Sequence, residues 1–249
     1  MGKPTNIKLT LQYDGTGFYG YELQPGRRTV RGEIEKALFK LYKKKFKLVS
    51  ASRTDSKVHA LCQTVNFKAP GNIPASNLPR AINTKLPDDI RVIGAWVVGA
   101  KFNARFDSKS KTYEYSVYNE EFMPPLIRNF AWNIRLKLDI ARMKRAARHL
   151  IGKHDFTSFC AVGGDDKDFV RKIMKIEIAR GGKSNLVSIK VTGDGFLYKM
   201  VRIIVGTLVE VGMGKRKPET MKAVLEGKDR KLAGRTAPPQ GLCLTKIIY

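Results

Sequence analysis

Asn6-Ile7-Lys8-Leu9-Thr10-Leu11-Gln12-Tyr13 alternates apolar Ile7, Leu9, Leu11 and Tyr13 with polar Lys8, Thr10 and Gln12. That is the period of a strand with one buried face. Asp14-Gly15 ends the run as a turn pair. Thr29 then offers a helix N-cap, and Ile34, Ala37, Leu38 and Leu41 follow at helical spacing. Phe46 to Ala51 and Gln63 to Lys68 read as strands, the second with Val65 and Phe67 on one face. Asn77 to Leu86 reads as a short helix closed by Pro87, and the apolar, β-branched run Arg91 to Val98 as another strand. The resulting order is β-α-β-β-α-β.

The second half gives the same order. Lys111 to Asn119 alternates Tyr113, Tyr115 and Val117 with Thr112, Glu114 and Ser116. Asp139 caps a helix that places Ile140, Met143, Ala147, Leu150 and Ile151 on one face and Arg142, Lys144, Arg145 and Arg148 on the other. Ile173 to Ala179 and Leu186 to Val191 are strands about the turn Gly181-Gly182. Lys199 to Val211 is a mostly apolar helix closed by Gly212, and Leu242 to Tyr249 a last strand. Two such units predict an α+β fold of two ferredoxin-like halves, with antiparallel sheets side by side forming one long basic cleft. The halves share element order, not residues. Their boundary is expected between Lys101 and Ser110, where Phe102-Asn103-Ala104-Arg105-Phe106 follows neither period. The expected domains are 1–106, carrying the Asp55 loop, and 107–249.

Composition narrows the partner. The 249 residues include 47 Lys and Arg against 22 Asp and Glu, a net charge of +25. Nucleic acid is the polyanion such a balance suits, through phosphate contacts. A generally basic protein of a hot or saline cell is the plainer alternative. An apolar stretch of membrane-spanning length is missing, and no signal-peptide core follows Met1, so no membrane is expected. Cys62, Cys160 and Cys243 are scattered and form no C-x-x-C pair, which fits a reducing, cytoplasmic setting. With only His59, His149 and His154 besides, no metal-ligand cluster is visible, and chemistry without metal is expected.

Ala51-Ser52-Arg53-Thr54-Asp55-Ser56-Lys57-Val58-His59-Ala60 lies between two strand-like runs. Its one carboxylate, Asp55, has Arg53, Lys57 and His59 beside it, neighbours that favour a charged nucleophile or base. A turn aspartate bonding its own backbone is the bland reading. Arg202 interrupts the apolar run Met200 to Val205, and a buried arginine needs an anionic partner. On spacing alone it snorkels at the helix edge, and Lys199 competes for any anion. Tyr113 and Tyr115 share a face, as core packing or as a platform for a nucleobase. Phe18-Tyr19-Gly20-Tyr21 is a second aromatic cluster, read as structural. Lys43-Lys44-Lys45 reads as a solvated helix end.

Taken together, these segments resemble the TruA family of tRNA pseudouridine synthases. The resemblance spans nearly the whole chain: Leu11 to Gly20; Thr29-Val30 with Glu35 to Leu38; Arg53-Thr54-Asp55 with Val58-His59-Ala60 and Gln63; Phe102 to Phe106; Lys111 to Tyr115; Gly152 to Phe159; Met200 to Gly206; and Ala237 to Leu242. It implies isomerisation of uridine to pseudouridine in the anticodon stem-loop of tRNA, at positions 38–40, on a flipped-out base. It also implies a cytoplasmic homodimer with neither metal nor organic cofactor. Asp55 would be the catalytic aspartate and Arg202 its ion-pair partner. Tyr113 would stack on the uracil and assist the final deprotonation. Arg53 would contact the RNA backbone, and Leu242 would pack against the base. The alternative is a non-catalytic RNA-binding protein of two ferredoxin-like modules.

The chain departs from the family pattern near the motif. Lys57 stands where glycine is usual two residues after the aspartate, Ser52 replaces a common glycine, and Tyr21 stands where tryptophan is usual. Glycine at position 57 implies a special backbone angle, which lysine accepts less easily.

Overall fold

The structure, a computed structural model, describes residues 4–164, 167–182 and 185–249. The fold is mixed α+β, and the chain divides into two compact units: Met1–Lys109 with Leu244–Tyr249, and Ser110–Cys243.

In the first unit, strand β1 (Thr5–Tyr13) buries Ile7, Leu9, Leu11 and Tyr13, the alternation read above. Helix α1 (Val30–Tyr42) begins at Thr29, whose hydroxyl accepts the Gly32 amide, and buries Val30, Ile34, Ala37 and Leu38. Strand β2 is only Val49–Ser50. The expected longer strand from Phe46 does not form, because its apolar residues are used as loop packing. The Phe46 ring stands edge-on to both Tyr42 and Phe67, and Leu48 is buried. Strand β3 (His59–Ala69) starts four residues earlier than its side-chain alternation suggests.

Helix α2 (Leu78–Asn83) is shorter than the predicted 77–86 and ends before Pro87. The reason lies in Asn83, whose amide oxygen accepts the Val92 amide and whose nitrogen donates to the Val92 carbonyl. That side chain acts as a piece of strand against β4 (Ile90–Val97), so the segment leaves the helix there. Burial of Leu9, Leu11, Val65, Phe67, Ile34, Leu38, Leu78 and Ile82 forms this unit's core, each aliphatic side chain contributing about 1.5–3 kcal/mol.

The second unit opens with β5 (Ser110–Tyr118), which buries Tyr113, Tyr115 and Val117. The two-residue strand β6 (Trp132–Asn133), not foreseen, pairs parallel with β5. Helix α3 (Ile140–Arg148) is capped by the Asp139 carboxylate, which accepts the Arg142 amide. Its buried face is Met143, Ala146 and Ala147; Leu150 and Ile151 lie beyond the helix, and Ile151 is exposed. Strand β7 (Gly152–Asp155), not foreseen, pairs antiparallel with β8 (Val170–Arg180), which pairs with β9 (Leu186–Gly193). Helix α4 (Met200–Gly212) is buried on nearly every side. Helix α5 (Thr220–Glu226) and strand β10 (Leu242–Ile248) complete the chain. The sheet order in this unit is β5-β9-β8-β7, and in the first unit β4-β1-β3-β10 with β2 on β3.

Patternless Phe102-Asn103-Ala104-Arg105-Phe106 is held by a polar network of the first unit. Buried Asn66 on β3 donates to Asn6 Oδ1 and to the Phe102 carbonyl, and accepts the Ala104 amide. Asn6 in turn donates to the carbonyls of Gly99 and Phe102. The Tyr249 hydroxyl donates to the Ala104 carbonyl, and its ring packs on Phe102. Removing Asn66 strands a buried acceptor and a buried amide. Asn66→Ala is expected to lower stability by about 2–3 kcal/mol, read as a lower urea midpoint at unchanged m-value. An unchanged midpoint would show that the network is not holding the segment.

Candidate active site

Asp55 lies on the loop between β2 and β3, and both ends of that loop are fastened from the core. At its start, the Ala51 amide donates to the Thr64 carbonyl. Fully buried Gln63 then clasps the next residue: its Oε1 accepts the Ser52 amide at 3.3 Å, and its Nε2 donates to the Ser52 carbonyl at 2.8 Å. The Tyr13 hydroxyl bonds Thr54 Oγ1 at 2.8 Å. Segment 15–21 passes alongside. The Tyr21 amide donates to the Thr54 carbonyl, and the Lys57 amide and Ser56 hydroxyl both donate to the Phe18 carbonyl.

A turn from Asp55 to Val58 closes the loop, with the Val58 amide on the Asp55 carbonyl at 3.2 Å. Lys57, its third residue, has φ +63°. A positive φ at that position alone is the type II pattern, which calls for glycine or asparagine. The irregularity read in the sequence is therefore a real backbone requirement, met here by lysine. Asp55 is half-buried, with Arg53 and Lys57 exposed on either side.

Next to the turn, the Gly15 amide donates to His59 Nδ1 at 3.0 Å, which places the ring proton on Nε2. Asp14 Oδ1 lies 3.2 Å from the same nitrogen. Burial pushes the Asp14 carboxyl up, yet bonds from the Thr16 hydroxyl and amide hold it below the usual carboxylate value. An added Cβ at Gly15 would overlap the Val58 carbonyl. Only glycine lets the two backbones touch.

Arg202, Leu242 and Tyr113 belong to the second unit. Arg202 is half-buried on α4; its Nε donates to the Ala237 carbonyl at 2.8 Å, and its own carbonyl accepts the Ala237 amide at 3.0 Å. It is therefore anchored, not snorkelling. Leu242 is buried at the start of β10, five residues beyond that anchor. Tyr115 fastens the segment between them, its hydroxyl donating to the Pro238 carbonyl at 2.7 Å. Burial pushes that hydroxyl far above the ordinary tyrosine value, against a downward pull from Arg202 and Arg235, so it stays a donor. Tyr113, two residues earlier on the same strand face, is 6% exposed and packs edge-on to Phe196 at 5.3 Å. Lys199 does not share the Arg202 anchor; its ammonium lies over the Tyr198 ring.

Two supporting residues escaped the sequence reading. Glu210 interrupts α4 as Arg202 does, the signal that singled out Arg202. Its carboxylate accepts the Arg216 guanidinium and the Arg235 amide, holding the stretch that leads to Ala237. Gly206 faces the Arg235 carbonyl where a side chain would collide; nothing in the apolar run marks that contact. Among the described residues, no group of three or more His, Cys, Asp or Glu stands together, and no helix is long and apolar enough to cross a membrane.

The family model described as tRNA pseudouridine synthase matches residues 10–107 and 146–249. The chain belongs to the tRNA pseudouridine synthase family. It is 46% identical over 244 residues to "tRNA pseudouridine synthase A 2" of Clostridium perfringens (strain 13 / Type A), covering 98% of this chain and 99% of that protein. Similarity to "tRNA pseudouridine synthase A" of Bacillus subtilis (strain 168) is 46% over 245 residues, 98% of each chain. The protein of the same name from Thermoanaerobacter sp. (strain X514) is 45% identical over 244 residues, 98% of this chain and 99% of that one. This tRNA pseudouridine synthase is accordingly an enzyme, an isomerase, and the non-catalytic reading is set aside.

The loop's bracing yields two expectations. Lys57→Gly removes the left-handed penalty and should stabilise the protein by about 1 kcal/mol, a Tm rise of roughly 2–4 °C. Gly15→Ala should destabilise it by about 2 kcal/mol or more and lower pseudouridine formation. Calorimetry with an activity assay checks both; a tolerated Gly15→Ala would mean the loop is not seated on that segment.

Proposed function

We propose that the enzyme isomerises uridine at positions 38–40 of the anticodon stem-loop of tRNA, with Asp55 acting on a uridine flipped from its stack. The observation that carries this is the Asp55 turn itself: a half-buried carboxylate between two exposed cations, on a loop whose backbone is bonded at both ends. Such a site is preorganised before substrate arrives.

Two routes fit a carboxylate there. Asp55 attacks ribose C1′ and displaces N1, or it assists loss of the base through a deprotonated sugar. In both, the C1′–N1 bond breaks, the uracil turns and a C1′–C5 bond forms, expelling the Asp55 carboxylate from C1′ in the first route and returning the sugar's proton in the second; the C5 proton then leaves and N1 gains one. Substrate and product are isomers, so no co-reactant enters. We assign Arg202 to pair with Asp55, Tyr113 to stack on the uracil and assist removal of the C5 proton, Arg53 to hold the RNA backbone, and Leu242 to pack against the base. Support comes from the second unit, where Arg202 and Tyr115, two residues beyond Tyr113 on the same strand face, hold Ala237 and Pro238 in the segment that leads to Leu242. The edge contact with Phe196 keeps the Tyr113 ring in one orientation.

Each unit is read as ferredoxin-like, the first as β1-α1-β2-β3-α2-β4 and the second as β5-α3-β8-β9-α4. A basic cleft receives the RNA, and extruding the base takes a few kcal/mol that phosphate contacts offset. The working form is a cytoplasmic homodimer needing neither metal nor organic cofactor.

Tritium release from tRNA carrying C5-labelled uridine tests the assignment. Asp55→Asn should lower release by about 10²- to 10⁴-fold or more while tRNA binding persists. Full-rate release by Asp55→Asn would sink the role given to Asp55.

A further inference from the structure

We propose that the exposed side chains of Lys57, Tyr19 and Arg27 form a subsite for one RNA nucleotide flanking the target uridine. Lys57 takes its phosphate, and the Tyr19–Arg27 stack takes its base. The inference deepens the proposed function and rests on it.

Lys57 occupies the tip of the catalytic turn, two residues past Asp55, in a left-handed conformation. A non-glycine residue held there is an outlier of the kind found at ligand clamps. The backbone bonds hold that turn but leave the side chain unused: it is exposed, and among the described residues no carboxylate pairs with its ammonium. A solvated cation on a fixed turn beside the reacting group suits a phosphate.

Tyr19 is next to Lys57 through the backbone. The Lys57 amide and Ser56 hydroxyl meet on the Phe18 carbonyl, the residue before Tyr19. Phe18 and Tyr21 of the same aromatic cluster are buried, whereas Tyr19 is 47% exposed. Its backbone is held on both sides, the amide on the Arg28 carbonyl and the carbonyl on Gln24 Nε2. The Arg27 guanidinium lies 4.5 Å from its ring centroid, and Arg27 is itself exposed. A solvated stack of a ring and a guanidinium on ordered backbone is what an unstacked nucleobase binds, whatever its sequence. Phosphate charge and base stacking are thus offered side by side at the edge of the Asp55 turn.

The test separates the two contributions. Lys57→Asn keeps a residue that accepts the left-handed turn and removes the charge; Tyr19→Ala removes the ring, and Tyr19→Phe restores it. Affinity for tRNA is measured from about 50 to 200 mM salt, with single-turnover pseudouridine formation at saturating enzyme. Lys57→Asn should lower the slope of log affinity against log salt by about one. Tyr19→Ala should weaken binding by about 5- to 100-fold at unchanged slope, with recovery in Tyr19→Phe. The saturated rate of the Tyr19 variants should stay within about two-fold, since that ring does not touch the reacting atoms. An unchanged slope in Lys57→Asn, or unchanged affinity in Tyr19→Ala, overturns the subsite. If wild-type protein forms no pseudouridine, the isomerase reading fails, while the binding measurements still judge the subsite.

Discussion

Gly15 has no side chain, and the Val58 carbonyl occupies the space where one would sit. That contact lets segment 15–21 lie against the loop and deliver backbone bonds to Thr54 and Lys57 on either side of Asp55. The geometry of the carboxylate therefore rests on main-chain groups that do not depend on the side chains at 52 or 57. This explains how the loop carries Ser52 and Lys57 in place of glycine. The substitutions change local strain and surface charge, and the bonding pattern absorbs both. The fastening residue from the core, Gln63, is neutral and wholly buried, and its amide satisfies two loop groups at once, an economical arrangement for a polar side chain placed where water is absent.

The second unit uses a related device with different parts. Gly206 brings the Arg235 carbonyl onto α4, and Glu210 and Thr207 take the amides of Arg235 and Gly234. The chain then reaches Ala237 with its direction set, where Arg202 grips it twice. A guanidinium that spends its Nε on a carbonyl has its planar fork held in one orientation, the condition for meeting a carboxylate bidentately. In both units, a residue read as an actor in the chemistry is oriented by a stretch that carries no chemistry of its own.

Much of this was legible in the sequence, for reasons that differ by element. The alternation in β1 and β5 and the apolar periodicity of α1 and α4 report burial, and burial decided those elements. Asp55 and Arg202 stood out as charges in unusual company. Lys57 stood out only against the family pattern, and its positive φ gives that oddity a physical meaning. What escaped notice depended on partners far along the chain. Asn83 leaves its helix because of Val92, and Phe46 leaves its strand because of Phe67. The strand β7 exists because β8 lies beside it. Contacts such as Gly15 with Val58 leave no trace in local composition, since glycine is common in loops for many reasons. Glu210 carried the same signal as Arg202 and was legible in principle.

The path of the last strand has a consequence for biosynthesis. Residues 244–249 belong to the first unit, where β10 follows β3 in the sheet and Tyr249 ties down Ala104. A ribosome makes β1 to β4 early, yet the neighbour of β3 emerges only after the whole second unit has been translated. The amino-terminal unit must wait with an open sheet edge, a state prone to pairing with other chains. Closing it joins segments far apart in sequence, a slow class of folding step. The unit that holds the Asp55 loop is thus completed only by residues 244–249, made after the whole second unit, which links a finished scaffold for that loop to translation of the other unit.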